Sequence, residues 1–359
     1  MLSSYIGEGA GFHCGTRLLG KGSAKQAERS SAGLPDHGRP ALFFSVITAL
    51  AALTTLRSTQ ALTLVSRGRR PSLNFDKEDM IMCETNPTPY LKAYYETHDE
   101  DGRLLSRTGQ VEFLTTMRYI EKYLRPGMRI LEIGAATGRY SHTLARMGYQ
   151  VDAVELLDHN IGIFKANTQP GENITITQGN AIDLSAFPSE TYDMTLLLGP
   201  MYHLFTKEDQ HRALSEALRV TKPGGLLYTA YCNNEATIYN FCFMRGYLFD
   251  PHFFPLIDKE TFKCTSNPED RFVLHRPGEI AALMADLPAE RLHFLGTDMM
   301  TQYIKDVIEG MSEEMYQYYL QYHFLICERP DMTGITNHYL DICRKREGLC
   351  PSTPQGLCP

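Results

Sequence analysis

The chain predicts an α/β fold in which a mostly parallel sheet is packed by helices. Three observations predict it. From Pro87 to about residue 345, short apolar runs rich in β-branched residues alternate with amphipathic helical patterns. The first run, Arg129-Ile-Leu-Glu-Ile133, passes at once into a glycine-bearing turn and then into a helical pattern over residues 140–147. A second run, Gln150-Val-Asp-Ala-Val-Glu155, ends on an acid. At that point of a parallel sheet a carboxylate can accept both hydroxyls of a ribose.

Composition narrows the function classes. Apolar residues make up 43% and charged residues 21% of 359, ordinary for a globular enzyme. A net charge of −7, with no dense Lys/Arg cluster after residue 70, argues against a nucleic-acid partner. The nine cysteines show neither C-x-x-C nor a Cys/His ligand spacing, so no metal site is expected. Their odd number reads as reduced thiols in a cytoplasmic protein.

Residues 1–79 stand apart. Residues 1–40 are rich in Gly, Ser, Ala and basic residues without a period and predict disorder. Residues 41–56 are an apolar run that Arg57 interrupts and residues 61–65 resume. A membrane span needs about 20 apolar residues, and a secretory apolar region lies nearer the N-terminus. The run reads as a membrane anchor, as a targeting segment, or as sequence ahead of a working start near Met80 or Met82. Only the first reading brings membrane contact, through residues 41–65.

The domain proper is expected over residues 80–346. Residues 90–96 suit one or two helical turns and 98–102 a polar loop. Residues 106–124 place Val111, Phe113, Leu114, Met117, Ile120, Tyr123 and Leu124 largely on one face, a helix. After the second strand, a helix over about 158–167 returns the chain. Residues 173–178 alternate as a strand, and 192–198 are apolar enough for the centre of a parallel sheet. A helix over 210–220 leads to Lys222-Pro-Gly-Gly225, a tight turn into a fifth strand at 226–231. Residues 233–268 form an insertion dense in aromatics, among them Tyr239, Phe241, Phe243, Tyr247, Phe249, Phe253, Phe254 and Phe262. Pro277 sits in the first turn of a helix over 276–284. A strand at 291–296, a Tyr-rich helix at 312–327 and a final strand at 336–344 follow, and residues 347–359 read as a disordered tail.

The turn after the first strand separates two ligand classes. A dinucleotide turn needs G-x-G-x-x-G, with a helix N-terminus aimed at a pyrophosphate. Here the spacing is Glu132-x-Gly134-x-Ala136-x-Gly138. A carboxylate there repels a pyrophosphate and suits a ligand carrying an ammonium and a sulfonium. Alanine is the smallest replacement for a middle glycine and fits if φ stays negative. The turn resembles the first motif, E/D-x-G-x-G-x-G, of class I S-adenosylmethionine (SAM)-dependent methyltransferases, and Arg219-Val-Thr-Lys-Pro-Gly-Gly-Leu-Leu227 adds to the resemblance.

The resemblance covers about residues 87–345. It implies a Rossmann-like three-layer sandwich with a seven-stranded, mostly parallel sheet, order 3-2-1-4-5-7-6 with the last strand antiparallel, and a small helical cap at about 233–268. It implies SAM as cofactor, held by Glu132, Gly134, Ala135, Ala136, Gly138, Glu155, Leu156, Asn180, Ala181 and Leu198. Asn180 would meet the adenine amino group and the Ala181 N–H the ring. The segment before the first strand would help to close the pocket, making Tyr94, Tyr95 and Arg107 candidate contacts.

Ligands of open α/β sheets sit beyond the C-terminal ends of the strands. The transferred methyl is therefore expected near Gly199-Pro-Met-Tyr-His203. His203, with an ordinary pKa near 6.5, is the candidate base, against a purely structural role. Tyr202 is placed to orient the acceptor. Asp298 stands either near the mouth or as an exposed loop carboxylate. The aromatics of the insertion read as a substrate lid or as the core of a helical cap. The expected activity is in-line methyl transfer from SAM to a small-molecule acceptor. Two alternatives stay open: a non-catalytic SAM-binding or interaction protein, and a nicotinamide-dependent oxidoreductase. Oligomeric state is not legible.

Overall fold

The computed structural model describes residues 86–347 except Asp99. The readings for residues 1–79 and 348–359, the apolar run included, lie outside the described residues. Among those described, no helix is long and apolar enough to cross a membrane.

Helices α1 (Thr88–Tyr95), α2 (Glu100–Arg103) and α3 (Arg107–Tyr123) lead into β1 (Arg129–Ile133). There follow α4 (Arg139–Arg146), β2 (Gln150–Glu155), α5 (Asp158–Asn167), β3 (Ile174–Gln178), β4 (Tyr192–Leu197), α6 (Lys207–Val220) and β5 (Thr221–Asn233). The C-terminal part runs α7 (Asn234–Thr237), β6 (Leu274–His275), α8 (Pro277–Met284), β7 (Ala289–Gly296), α9 (Lys305–Glu309), α10 (Glu313–Ile326) and β8 (His338–Lys345). The sheet order is β3-β2-β1-β4-β5-β8-β7, and β8 is antiparallel to both neighbours. This is the expected seven-strand order with one addition, the two-residue β6 that pairs with β5.

Strand alternation builds the two faces. Ile130, Met194 and Tyr228 pack under α3, α4 and α10 with Phe113, Ile120, Leu144 and Ile326. Leu131, Ile133, Leu197 and Leu227 turn the other way, against Ala213, Leu214 and Ile280 of α6 and α8. Each such aliphatic side chain, fully buried, contributes roughly 1.5–3 kcal/mol.

Local chemistry sets the boundaries. The Ser106 hydroxyl accepts from Gly109 N and starts α3 where its apolar stripe begins. Thr206 does the same for α6 through Asp209 N, so α6 starts a turn earlier than its apolar pattern indicates. The expected polar loop at 98–102 instead closes into α2, where Arg103 Nε donates to Glu100 Oε1 at 2.8 Å. The glycine turn at 222–225 lies within β5. There the pairing slips, since Tyr192 faces Thr221 but Met194 faces Leu226.

The insertion after β5 is compact, and its core is not aromatic. Ile238, Cys242, Ile257 and Cys264 are buried together, whereas Tyr239, Phe243, Phe249 and Phe262 are exposed. The cap-core reading of the aromatics is therefore overturned for most of them. The backbone widens into a π-helical turn over Ile238–Met244, which keeps Ile238 and Cys242 facing inward.

Candidate functional site

Two cavities open beyond the C-terminal ends of β1, β2 and β4. The first, about 350 Å³, is lined by Val154, Glu155, Leu156, Leu157 and Asn160, by Asn180 and Ala181, and by His203 to Thr206. The second, about 800 Å³, is lined by Glu132, Ala135, Arg139, Leu198 and Tyr202, by Arg103 and Tyr94, and by Phe241, Cys232 and His338. Gly134, Ala136, Gly199 and Tyr95 belong to both and form the boundary between them.

This boundary depends on backbone that few residues tolerate. Gly134 has φ +73°, and a Cβ there would fall 2.6 Å from Pro200 Cδ. This glycine lets the β1 turn close against the loop after β4. Ala136 has φ +47°, in the left-handed region. The expectation of a negative φ at Ala136 is therefore wrong. The strain, about 1–2 kcal/mol for a non-glycine residue, is offset in part because Ala136 N donates to Glu155 Oε2 at 2.9 Å. Gly138 caps α4, and Arg139 is the helix's first residue.

Glu155 is almost wholly buried and closes β2. Besides Ala136 N, its carboxylate accepts from Leu157 N at 3.0 Å and from Asn160 Nδ2 at 3.2 Å. Burial raises its pKa and these donors oppose the rise. A carboxylate offers about four acceptor positions, so roughly one remains for a ligand. Glu132 is also buried and accepts from the Ser141 hydroxyl. Burial, with Glu155 nearby, pushes its carboxyl up to about 8, although the Ser141 hydrogen bond pulls the other way. Glu132 is therefore mostly protonated at neutral pH unless a cation approaches. Asn180 folds its own side chain back, accepting from Ile182 N at 3.2 Å.

His203 lies in the first cavity rather than the second. Its Nδ1 is 2.7 Å from the Arg271 carbonyl, which can only accept, so Nδ1 carries the proton. Nε2 is then the acceptor for the Tyr95 hydroxyl at 3.1 Å. Burial lowers the His203 pKa to about 4, against the Arg271 carbonyl's opposing pull. Tyr202 faces the second cavity, its ring 5.9 Å from His338. Its carbonyl accepts from Val273 N at 2.7 Å and anchors the end of the insertion.

α1 and the end of the insertion meet over these cavities. The Tyr90 hydroxyl donates to Glu269 Oε1 at 3.1 Å, and the Arg271 guanidinium lies 4.9 Å over the Tyr94 ring. Of the three candidate contacts before β1, Tyr94 and Tyr95 face the site. Arg107 does not: it donates to the Met311 carbonyl and to Glu313, tying α3 to α10.

Two residues escaped sequence reasoning, Arg139 and the His338 partner of Asp298. Arg139 Nε is buried and has no hydrogen-bond partner, while the guanidinium lies 4.8 Å over the Phe113 ring on the wall of the second cavity. Its signal was present, a cation directly after the last glycine. Asp298 is fully buried, which overturns the exposed-loop alternative, and its Oδ2 meets His338 Nδ1 at 3.0 Å. Nothing local marks His338, because 39 residues separate it from Asp298 and only the β7–β8 pairing joins them.

An orphaned guanidinium nitrogen, a buried carboxyl awaiting a cation and a carboxylate at the end of β2 suit the carboxylate, ammonium and ribose of a nucleoside-bearing amino acid. Comparison with known proteins agrees. Residues 131–229 match the profile of the methyltransferase domain family. The chain is 33% identical over 106 residues to a SAM-dependent Diels–Alderase of Talaromyces variabilis, covering 28% of this chain and 35% of that one. It is 32% identical over 126 residues to a demethylmenaquinone methyltransferase of Renibacterium salmoninarum, covering 34% and 50%. The match thus spans about a third to a half of these relatives' lengths. A SAM-dependent methyltransferase structure from Methanosarcina mazei aligns over 64% of this chain and 98% of its own, at 20% identity and a TM-score of 0.44. The methyltransferase-domain match covers residues 131–229, and the sheet order is the one that the resemblance to class I SAM-dependent methyltransferases implies.

Proposed function

We propose that this protein transfers a methyl group from SAM to a small-molecule acceptor held in the second cavity. The observation that carries the reading is that the two cavities adjoin at Gly134, Ala136 and Gly199, with Glu155 on one side and a larger chamber on the other. When bound, SAM supplies a sulfonium-activated methyl group. The protein's part is to bind, align and exclude water.

In this reading Glu155 receives the ribose hydroxyls, one of them displacing the Asn160 amide, its longest contact. Leu156, Asn180 and Ala181 form the adenine end, with Asn180 swinging from Ile182 N to the amino group. Gly134, Ala135, Ala136 and Leu198 wall the middle, and Gly138, which lines neither cavity, caps α4. Arg139 takes the methionine carboxylate, and Glu132, once ionised, takes the ammonium. His203 works as the partner that orients the Tyr95 hydroxyl at the boundary rather than as a base. With its pKa lowered to about 4 the ring is a weak proton acceptor, and its Nε2 is already occupied by the Tyr95 hydroxyl.

Calorimetric titration of the full chain tests this. SAM and S-adenosylhomocysteine should bind in the micromolar range and NAD⁺ not at all, and Glu155→Ala should weaken both by tenfold or more. Tight NAD⁺ binding, or unchanged affinity in Glu155→Ala, would overturn the reading. The likeness to a SAM-dependent Diels–Alderase favours one second reading, in which SAM stays intact and the chamber promotes a rearrangement. Release of one S-adenosylhomocysteine per turnover, against none, separates the two.

A further inference from the structure

The second cavity holds a buried charge cluster that the cofactor reading leaves unused. His338 opens β8, and its ring stands in the cavity wall beside Cys232, its cross-strand partner on β5. Nδ1 points away from the cavity, 3.0 Å from Asp298 Oδ2 and 3.6 Å from Glu112 Oε2. Neither carboxylate is free to leave. Asp298 Oδ1 accepts from the Thr336 hydroxyl at 2.7 Å and from the Asn337 and His338 amides at 2.8 and 3.2 Å. Glu112 is gripped by both Arg103 nitrogens, Nη1 at 2.8 Å and Nη2 at 3.4 Å, and Arg103 in turn pairs with Glu100.

Among the described residues, Glu112, Asp298 and His338 form the group whose ligand atoms converge closely enough for a metal ion. A cation there would have to displace the Nδ1 proton and face the Arg103 guanidinium already seated on Glu112. A proton shared among these groups meets the same charge demand without either cost. Burial opposes a charged ring, but Glu112 and Asp298 outweigh it and hold His338 well above the ordinary histidine range. Nδ1 is committed to the carboxylates, and the ring also bonds the Cys232 side chain at the cavity wall, so an incoming oxygen anion shares that edge of the ring with the thiol. The same cavity also carries the Tyr202 phenol, raised by burial, the Cys232 thiol, the acids Glu100 and Glu132, and the cations Arg103, Arg139, Arg245 and Lys305.

Resting on the methyltransferase reading, we propose that His338 is the charge-pairing residue of the acceptor chamber. Its imidazolium, backed by Asp298 and Glu112, receives an acceptor that binds as an oxygen anion, a phenolate, enolate or carboxylate. Such an acceptor gives its proton to solvent on entry, because the ring already holds its own, and arrives as a nucleophile that needs no separate base. This accounts for the absence of a competent base at His203, and it makes Asp298 and Glu112 positioning residues that act through His338.

The probe is 4-nitrophenol, whose phenolate is read by absorbance, titrated against the full chain with and without S-adenosylhomocysteine. The ionisation midpoint of the bound probe should fall by a unit or more, roughly a tenfold gain in phenolate binding over phenol. His338→Gln should abolish the shift and leave S-adenosylhomocysteine affinity unchanged. His338→Lys, which restores a cation, should recover much of it, as a purely structural role would not. An unshifted midpoint, no binding up to the probe's solubility, or a shift that survives His338→Gln would overturn the proposal. So would a shift lost on EDTA treatment and regained with Zn²⁺ or Mg²⁺, which would assign the cluster to a metal. A shift with no S-adenosylhomocysteine binding by the wild-type chain would instead sink the methyltransferase reading and leave the cationic wall standing.

Discussion

Two carboxyls beside the turn after β1 face opposite demands. Glu155 is buried but supplied with donors, whereas Glu132 has one hydroxyl and a pKa pushed up to about 8. An arriving ammonium should therefore expel the Glu132 proton. Calorimetry at pH 7 in buffers of different ionisation enthalpy should show close to one proton released per SAM bound, and Glu132→Gln should remove that dependence. Ala136 offers a second test. Its φ of +47° costs an alanine what it does not cost a glycine. Ala136→Gly should stabilise the protein by about 0.5–1 kcal/mol, the strain relieved exceeding the extra chain entropy of glycine, and a denaturant midpoint that moves up at constant slope would register it. The turn's residue types and spacing were readable from the sequence. The sign of φ at Ala136 was not, because it follows from Glu155, nineteen residues later, recruiting the Ala136 amide.

At the scale of elements, the clasp of α1 onto the end of the insertion rests on few contacts: Tyr90 to Glu269, Tyr95 to His203 and Arg271 over Tyr94. Tyr95→Phe leaves the His203 Nε2 acceptor buried and unpaired, a cost of about 1–3 kcal/mol. Amide exchange should then speed up over residues 88–95 and 268–273 and stay unchanged in β1 and β4. Uniform acceleration across the sheet would refute the local character of the clasp. The repeating elements were legible because their patterns are local: apolar runs at β1 and β4, period two along β3, period 3.6 along α3. The failures share one cause. The start of α6, the closure of α2 and the outward aromatics of the insertion are set by side-chain caps and tertiary burial, which leave little trace in hydropathy. The π-helical turn is of the same kind, since its apolar residues fit several helical periods.

At the scale of the molecule, three histidines among the described residues are held neutral by burial. His203, His275 and His323 each have pKa values lowered to about 4. The unfolded chain takes up these protons from about pH 6.5 downward and the folded chain does not. Their contribution to stability is therefore complete above about pH 6.5 and lost as pH falls toward 4, by several kcal/mol in all. His203 contributes least, because it lines a cavity. His338, raised rather than lowered, works in the opposite sense: its contribution is present below about pH 6.5 and disappears as pH rises through its folded pKa. The Tm should drop steeply between pH 6.5 and 4, and His275→Gln should flatten that drop. The fold class was readable at this scale and the charge cluster was not, since Glu112, Asp298 and His338 come from three distant stretches that only the finished sheet assembles. The short strand β6 has one more consequence. It lies beside the end of β5, with Leu274 opposite Cys232 and His275 opposite Asn233, so the insertion leaves and rejoins the sheet at a single point. Neighbouring strands are only about 5 Å apart, and a detour with such close ends can change length at little entropic cost. The segment 234–273 is thus an exchangeable cassette: a related enzyme's counterpart could be grafted between the same two anchors, retuning which acceptors enter while the nucleoside half of the molecule is inherited intact.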